Sequence, residues 1–203
     1  QVPAEDIVGR PFSDMPLPAK YNGEVKLKEV VRYKECRESE VELESANGDV
    51  RYFECLYAPV IDEEGEVEAV SGIAHDVTQR KKSEARIWRH ANYDLLTRLP
   101  NRRLFMDRLN QHSAHSDRTG DPFALLFIDL DHFKAINDRL GHEAGDNLLK
   151  KIAQRVSACV RQSDTVARIG GDEFTVLLLD TGDRELIQRI AGNILDELAR
   201  PFH

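Results

Sequence analysis

The residues best suited to chemistry in this chain are acids that stand where apolar runs end. Phe123-Ala-Leu-Leu-Phe-Ile128 stops at Asp129 and Asp131, and Thr165-Val-Ala-Arg-Ile169 passes through Gly170 and Gly171 into Asp172 and Glu173. A nearly continuous apolar run reads as a strand buried on both faces. Carboxylates at the C-terminal end of such a central strand point into the crevice where α/β sheets bind ligands. Gly170-Gly171, between two apolar runs, reads as the two-residue turn of a hairpin, where both positions can take φ > 0. Acids set beside glycine backbone can hold a divalent cation and a phosphate together. Lys134, Asn137 and Asp146 lie between the two acid groups. Taken singly, Asn137 is a turn residue and Asp146 a charge at a helix N-terminus.

Regular elements must hold these groups in place. Leu148, Leu149, Ile152, Val156, Cys159 and Val160 recur at helical spacing and predict an amphipathic helix starting near Asp146. Phe174–Leu179 reads as the return strand of the hairpin, and another helix is expected roughly from Arg184 to Leu198. Upstream the texture changes. Strands are expected over 38–46, 49–61 and 66–77, joined by a type I′ turn at Asn47-Gly48 and a second turn at Asp62-Glu-Glu-Gly65. The resulting meander would close one face over a small ligand or a partner helix. Residues 79–93 contain no Gly or Pro and predict a continuous helix. Val77, Glu84, Ile87, Trp88, Ala91 and Leu95 form its stripe, which suits either pairing with a second copy or packing within one chain.

Composition narrows the field. A net charge of −8 over 203 residues argues against a nucleic-acid partner. A nucleoside triphosphate can still bind an acidic protein when a cation lies between the carboxylates and the phosphates. No apolar run approaches a membrane span, and no signal-peptide pattern opens the sequence. Cys36, Cys55 and Cys159 are widely spaced, which suits buried thiols in a reducing cytosol better than a disulfide framework. The expected location is cytoplasmic, with membrane attachment left open for a full-length protein.

Three stretches in fixed order, Asp94-Leu-Leu-Thr-Arg-Leu-Pro-Asn-Arg102, Asp129–Asp146 and Gly170–Phe174, resemble the GGDEF domain of the diguanylate cyclase family over residues 92–203. Gly72-Ile-Ala-His-Asp-Val-Thr78, followed by Gln79-Arg-Lys-Lys82, resembles the C-terminus of a PAS sensor domain, whose Asp-x-Thr triplet joins the last strand to an output helix. The expected fold class is therefore α+β. A partial PAS-like antiparallel sheet (1–78) would be joined by a linker helix (79–93) to a GGDEF, nucleotidyl-cyclase-like α/β domain (94–203) truncated at its C-terminus. In that domain a mixed, mostly antiparallel sheet would be flanked by helices.

The resemblance implies condensation of two GTP into cyclic di-GMP with release of pyrophosphate, and Mg²⁺ or Mn²⁺ as cofactor. It implies Asp129, Asp172 and the Leu130 carbonyl as metal ligands, with Glu173 as a ligand of a second metal or as the base, the two roles left open. The backbone of His132 and Phe133 and the charge of Lys134 would hold the β- and γ-phosphates, and Gly170 and Gly171 would bring the hairpin backbone against the substrate. Asn137 and Asp146 would read the guanine edge. Arg161-Gln-Ser-Asp164 resembles the family's product-inhibition site, with Arg161 on guanine or phosphate and Asp164 accepting from guanine. One such domain binds one GTP, so two must face each other. That implies a homodimer through the linker helix and the PAS-like domain, with the sensor adjusting the alignment of two half-sites. No particular ligand of the PAS-like domain is implied.

Three readings stay open. The first is an active cyclase under PAS control and product inhibition. The second is a GTP-binding regulatory domain of a cyclic di-GMP phosphodiesterase carrying an EAL domain, towards which the ending Ala199-Arg-Pro-Phe202 points. The third is a cyclic di-GMP-binding module acting through Arg161 and Asp164. Asp129, Asp172 and Glu173 favour the first, because a receptor has no need of metal-binding acids.

Overall fold

The computed structural model describes residues 23–44 and 47–202. The chain divides into two compact units, Gln1–Ala85 and Arg86–His203. In the first, helix α1 (Gly23–Tyr33) precedes β1 (Arg37–Glu44), β2 (Val50–Ile61) and β3 (Val67–Asp76), which pair antiparallel in the order β1-β2-β3. Alternation decides the faces. Val41 is buried and Leu43 half-buried, whereas Glu38, Glu40 and Glu42 are exposed. Leu27 and Val30 of α1 close a small core over Val41, Cys55 and Tyr57, and Val30 is fully buried.

The first hairpin pairs Glu44 with Val50, and Gly48 takes φ 83°. The expected type I′ turn at Asn47-Gly48 starts from Ala46 and so falls partly outside the described residues. The end of the expected strand, Ser45 and Ala46, lies outside the described residues, as do the first 22 residues and His203. The second turn is as expected: the Asp62 carboxylate accepts from the N–H groups of Glu64 and Glu66, and Gly65 takes φ 84°. The sheet face turned away from α1 is not closed over among the described residues. It carries Glu38, Glu40, Glu54, Leu56, Ile73 and His75 around an open concavity of about 450 Å³.

Helix α2 (Thr78–Asn92) begins on this unit. The Thr78 N–H donates to Asp76 Oδ1 at 2.9 Å, and Thr78 Oγ1 accepts from the Tyr52 N–H at 2.9 Å, so the Asp-x-Thr triplet ties the helix start to β2. Lys81 and Arg80 then reach back to Glu40 and Glu54. Val77 is buried within its own unit at 3% exposure, and Leu95 lies past the helix end, so the expected stripe leaves Ile87 and Trp88 as its large exposed side chains on α2.

The second unit contains α3 (Arg102–Thr119), β4 (Ala124–Ile128), α4 (Phe133–Leu140), α5 (His142–Ala158), β5 (Thr165–Gly170), β6 (Glu173–Leu178) and α6 (Arg184–Ala199). Its sheet is antiparallel in the order β4-β6-β5. The central strand is β6, buried at five successive positions from Phe174 to Leu178. On one face, Val166, Phe174, Val176 and Leu178 pack with Leu149, Ile152 and Val156 of α5 and Ile194 of α6. On the other, Ala167 and Leu177 pack beneath Phe105 of α3. The strand expected to be central and doubly buried, β4, is instead an edge strand among the described residues, as is β5. Phe127 on it is 78% exposed, because Phe105 and Leu109 cover the sheet at Leu125 and no described element continues over Phe127. Among the cysteines Cys55 is buried, but Cys36 is exposed, contrary to expectation, on the short connection before β1. No helix among the described residues is long and apolar enough to cross a membrane.

Candidate functional site

The acids converge at the open end of this sheet. Ile128 pairs with Phe174, and continuing that antiparallel register by one position sets Asp129 across from Glu173. Asp129, Phe127, Glu173 and Thr175 share the α3 side of the sheet by strand alternation. They line a cleft of about 220 Å³ together with Ile169. Both acids are exposed. The cleft exists because the apolar residues of α3 stop short of it.

The hairpin turn sits one residue later than expected. Gly170 pairs with Glu173, so the turn residues are Gly171 and Asp172, and Gly171 takes φ 48° while Gly170 keeps a strand conformation. A register shift between Arg168 and Gly170 produces the displacement. Asp172 thus stands in the turn rather than on the strand, and it is not among the residues lining the cleft.

Beyond β4, Leu130 accepts from the Phe133 N–H at 3.2 Å, and His132 takes φ 60° as the N-cap of α4 without a side-chain capping bond. The first turn of α4 carries Phe133 and the exposed Lys134. Its first N–H groups have no side-chain cap from His132, which leaves the helix start suited to an anion. Asn137 on α4 meets the start of α5: a Cβ on the buried Gly145 would stand 1.9 Å from Asn137 Oδ1 and 3.2 Å from the Phe133 ring. Glycine is required there by close approach. Asn137 and Asp146 are thereby brought to one corner, with Asp146 exposed.

The Arg161-x-x-Asp164 pair is built differently from its expected use. Asp164 accepts from the Arg161 N–H through Oδ2 at 2.9 Å and from the Leu179 N–H through Oδ1 at 3.1 Å. Its carboxylate therefore organises the turn before β5. The Arg161 residue is exposed.

The Asp94–Arg102 stretch, which has no assigned role in the sequence alone, gains one in the structure. Arg168 donates through Nε and Nη2 to the Gly171 carbonyl at 2.9 and 2.7 Å, and through Nη1 to Asp94 Oδ1 at 3.0 Å. Asp94 Oδ1 also accepts from the Thr97 N–H and hydroxyl at 2.8 and 2.6 Å. Burial works against the Asp94 charge, but the bonds from Thr97 and Arg168 outweigh it and hold the carboxyl below its ordinary range. Asn101 caps α3 by accepting from the Leu104 N–H, while its amide donates to the Ala91 carbonyl. The hairpin that presents Asp172 and Glu173 is thus clamped to the segment leading into α3. An Arg two residues before a glycine pair was the available signal, but its partner lies 74 residues away.

Among the described residues no three His, Cys, Asp or Glu side chains are grouped closely enough to hold a metal among themselves. The donors that do meet are all oxygen: the carboxylates of Asp129 and Glu173, with the Leu130 carbonyl next in the chain. That set fits a hard divalent cation of the kind that takes one or two protein carboxylates and completes its shell with water and phosphate.

Comparison with known proteins shows the family. Residues 91–203 match the family described as "Diguanylate cyclase, GGDEF domain", and residues 1–82 match the PAS fold. Diguanylate cyclase TpbB of Pseudomonas aeruginosa is 47% identical over 112 residues, 55% of this chain and 26% of that protein. Its solved GGDEF domain superposes with a TM-score of 0.53, covering 54% of this chain and 64% of the other. Cyclic di-GMP phosphodiesterase NbdA of the same species is 42% identical over 126 residues, 61% of this chain and 16% of that protein. The coiled coil and GGDEF domain of DgcB from Caulobacter crescentus, solved with c-di-GMP, gives a TM-score of 0.55 at 28% identity, covering 58% of this chain and 61% of that one. The chain spans about a quarter or less of the length of these curated relatives.

Proposed function

Since the chain belongs to the GGDEF domain family, we propose that it joins two GTP molecules into cyclic di-GMP and pyrophosphate. The observation that carries this reading is the cleft in which Asp129 and Glu173 stand across from each other at the open end of the sheet. Mg²⁺ would be held by Asp129, Asp172 and the Leu130 carbonyl. When bound, it supplies charge stabilisation at the phosphate oxygens. Glu173 would either ligate a second metal or accept the proton of the attacking 3′-hydroxyl. The start of α4, which His132 leaves without a side-chain cap, and the charge of Lys134 would receive the terminal phosphates, although the Phe133 N–H is engaged by the Leu130 carbonyl. The corner of Asn137 and Asp146 would read guanine, since a carboxylate there accepts from N1 and the amino group and is left unpaired by adenine. Gly171 and the strand-like Gly170 keep the hairpin backbone free of side chains beside the substrate.

Two such half-sites must meet, and the exposed Ile87 and Trp88 on α2 support pairing of linker helices. The PAS-like unit would then act on alignment of the half-sites rather than on their composition. Product inhibition would use the exposed Arg161 as a hydrogen-bond donor to a guanine or phosphate, with Asp164 holding the turn that presents it.

A second reading rests on the similarity to NbdA, a cyclic di-GMP phosphodiesterase: the domain would bind GTP as a regulator of a linked EAL domain. Incubation of the purified protein with GTP and Mg²⁺, with product chromatography beside Glu173→Ala, separates the two. Cyclic di-GMP from the parent and none from the variant supports the cyclase. GTP binding without product supports the regulator.

A further inference from the structure

The end of α2 and the loop after it form a cavity that the acid site does not use. Trp88, Arg89, Tyr93, Leu95 and Arg98 surround an open concavity of about 430 Å³, and all five belong to the second unit. That volume suits a small ligand. None of these residues lines the Asp129–Glu173 cleft. The Trp88 and Tyr93 rings meet at a centroid distance of 5.6 Å and a tilt of 56°, yet Trp88 remains 54% exposed. A ring braced by another loses little freedom when a flat ligand settles on it.

Charge decides which ligand suits the cavity. From Arg86 to Arg103 the chain has five arginines and one acid, Asp94, in a protein of net charge −8. Asp94 is already bonded to Arg168 and Thr97, so the local field is positive. Arg98 is exposed, and its guanidinium has no hydrogen bond or ion pair among the described residues. Its backbone takes φ 63°, which glycine would adopt with less strain, and a side chain retained at a strained position points to use. An aromatic surface beside a guanidinium recognises a flat ring that carries an anion: the ring stacks, and the guanidinium takes a phosphate. No Asp, Glu, Asn or Gln lines the cavity to read the edge of a base. We propose that this cavity is a second nucleotide site, which takes a nucleoside phosphate of any base by stacking on Trp88 and pairing with Arg98, without a metal ion. It does not rest on the cyclase reading. Trp88 also belongs to the surface proposed above for helix pairing, so a bound nucleotide competes with that pairing.

Trp88 is the single tryptophan of the chain, so its fluorescence reports this cavity directly. The purified protein is titrated with GMP, AMP and ribose 5-phosphate in EDTA, which keeps cation-dependent binding at the acid cleft out of the signal. GMP and AMP should quench Trp88 with affinities within about threefold of each other, because every base has a face to stack. Ribose 5-phosphate, which lacks the ring, should bind at least about tenfold more weakly. Arg98→Gly should weaken GMP binding about tenfold while its thermal midpoint rises, a combination that a folding defect does not give. Trp88→Leu, followed by titration calorimetry, should lose affinity by a similar factor, about tenfold. Quenching by GMP alone would overturn the proposal and place the nucleotide at the guanine corner of Asn137 and Asp146. Unchanged affinity in Arg98→Gly would overturn it, as would the absence of quenching by either nucleotide. Sedimentation with phosphatidylglycerol vesicles in that last case, lost in Trp88→Leu, would make the patch a lipid-facing surface instead.

Discussion

The two units bury their sheets in opposite ways. In β1 of the first unit the burial alternates residue by residue, with acids on one face and Val41 and Leu43 on the other. In β6 of the second, five successive residues are buried, because α5 and α6 cover one face and α3 covers part of the other. A sheet covered on one side leaves a broad polar face that can carry ion pairs such as Lys81 to Glu40. A sheet covered on both sides leaves only its ends for chemistry, and the acid cleft is at such an end, where the cover of α3 runs out.

This difference sets unequal sensitivities. Phe174 is fully buried at the centre of the second unit's main core, and Phe174→Ala should cost about 3–5 kcal/mol. Val30→Ala should cost the first unit roughly 2 kcal/mol, since one helix face closes that smaller core. Calorimetry of each variant checks this: Phe174→Ala should lower the melting of the second unit alone, and equal losses in both units would contradict separate cores.

A smaller effect is expected at the clamp. Removing the guanidinium in Arg168→Met strands the half-buried Asp94 and frees the Gly171 carbonyl, at about 2 kcal/mol. The Asp94 carboxyl is held below its ordinary range in the folded protein, so the bonds to it stabilise at neutral pH. That contribution is lost as pH falls through the ordinary carboxylate range towards the lowered value. Melting followed from pH 7 downwards should therefore drop more steeply for the parent than for Asp94→Asn, and parallel curves would remove Asp94 from the account.

The smallest change concerns Arg98, which takes φ 63° and donates its N–H to the Asp94 carbonyl. Glycine adopts that backbone without strain, although it loses more freedom on folding. Arg98→Gly should raise stability by about 0.5–1 kcal/mol, read as a higher denaturant midpoint. A lower midpoint would mean that the arginine side chain makes contacts outweighing its backbone strain.

Much of this was legible in the residues. Acids after an apolar run, glycines before an acid pair and helical spacing from Leu148 to Val156 each report a local preference, and local preferences survive folding. The turn at Asp62–Gly65 was legible for the same reason, because its carboxylate bonds to N–H groups within four residues. The turn at Gly171-Asp172 was misplaced by one residue because a bulge changes register without changing composition. Helix α3 was not anticipated as an element, for its polar residues give little periodicity and its start depends on the Asn101 cap.

The order of elements, the identity of the acids and the amphipathic faces follow from residue types and spacing, because side-chain chemistry and the helix and strand periods are properties of short segments. Which strand lies at the sheet edge, which end of the sheet stays open and which distant groups lock the hairpin follow from packing in three dimensions. Arg168 meets Asp94, Gly145 admits Asn137 and Thr175 shares a cleft with Glu173 because separate elements are pressed together. Such contacts carry no period for a linear reading to find.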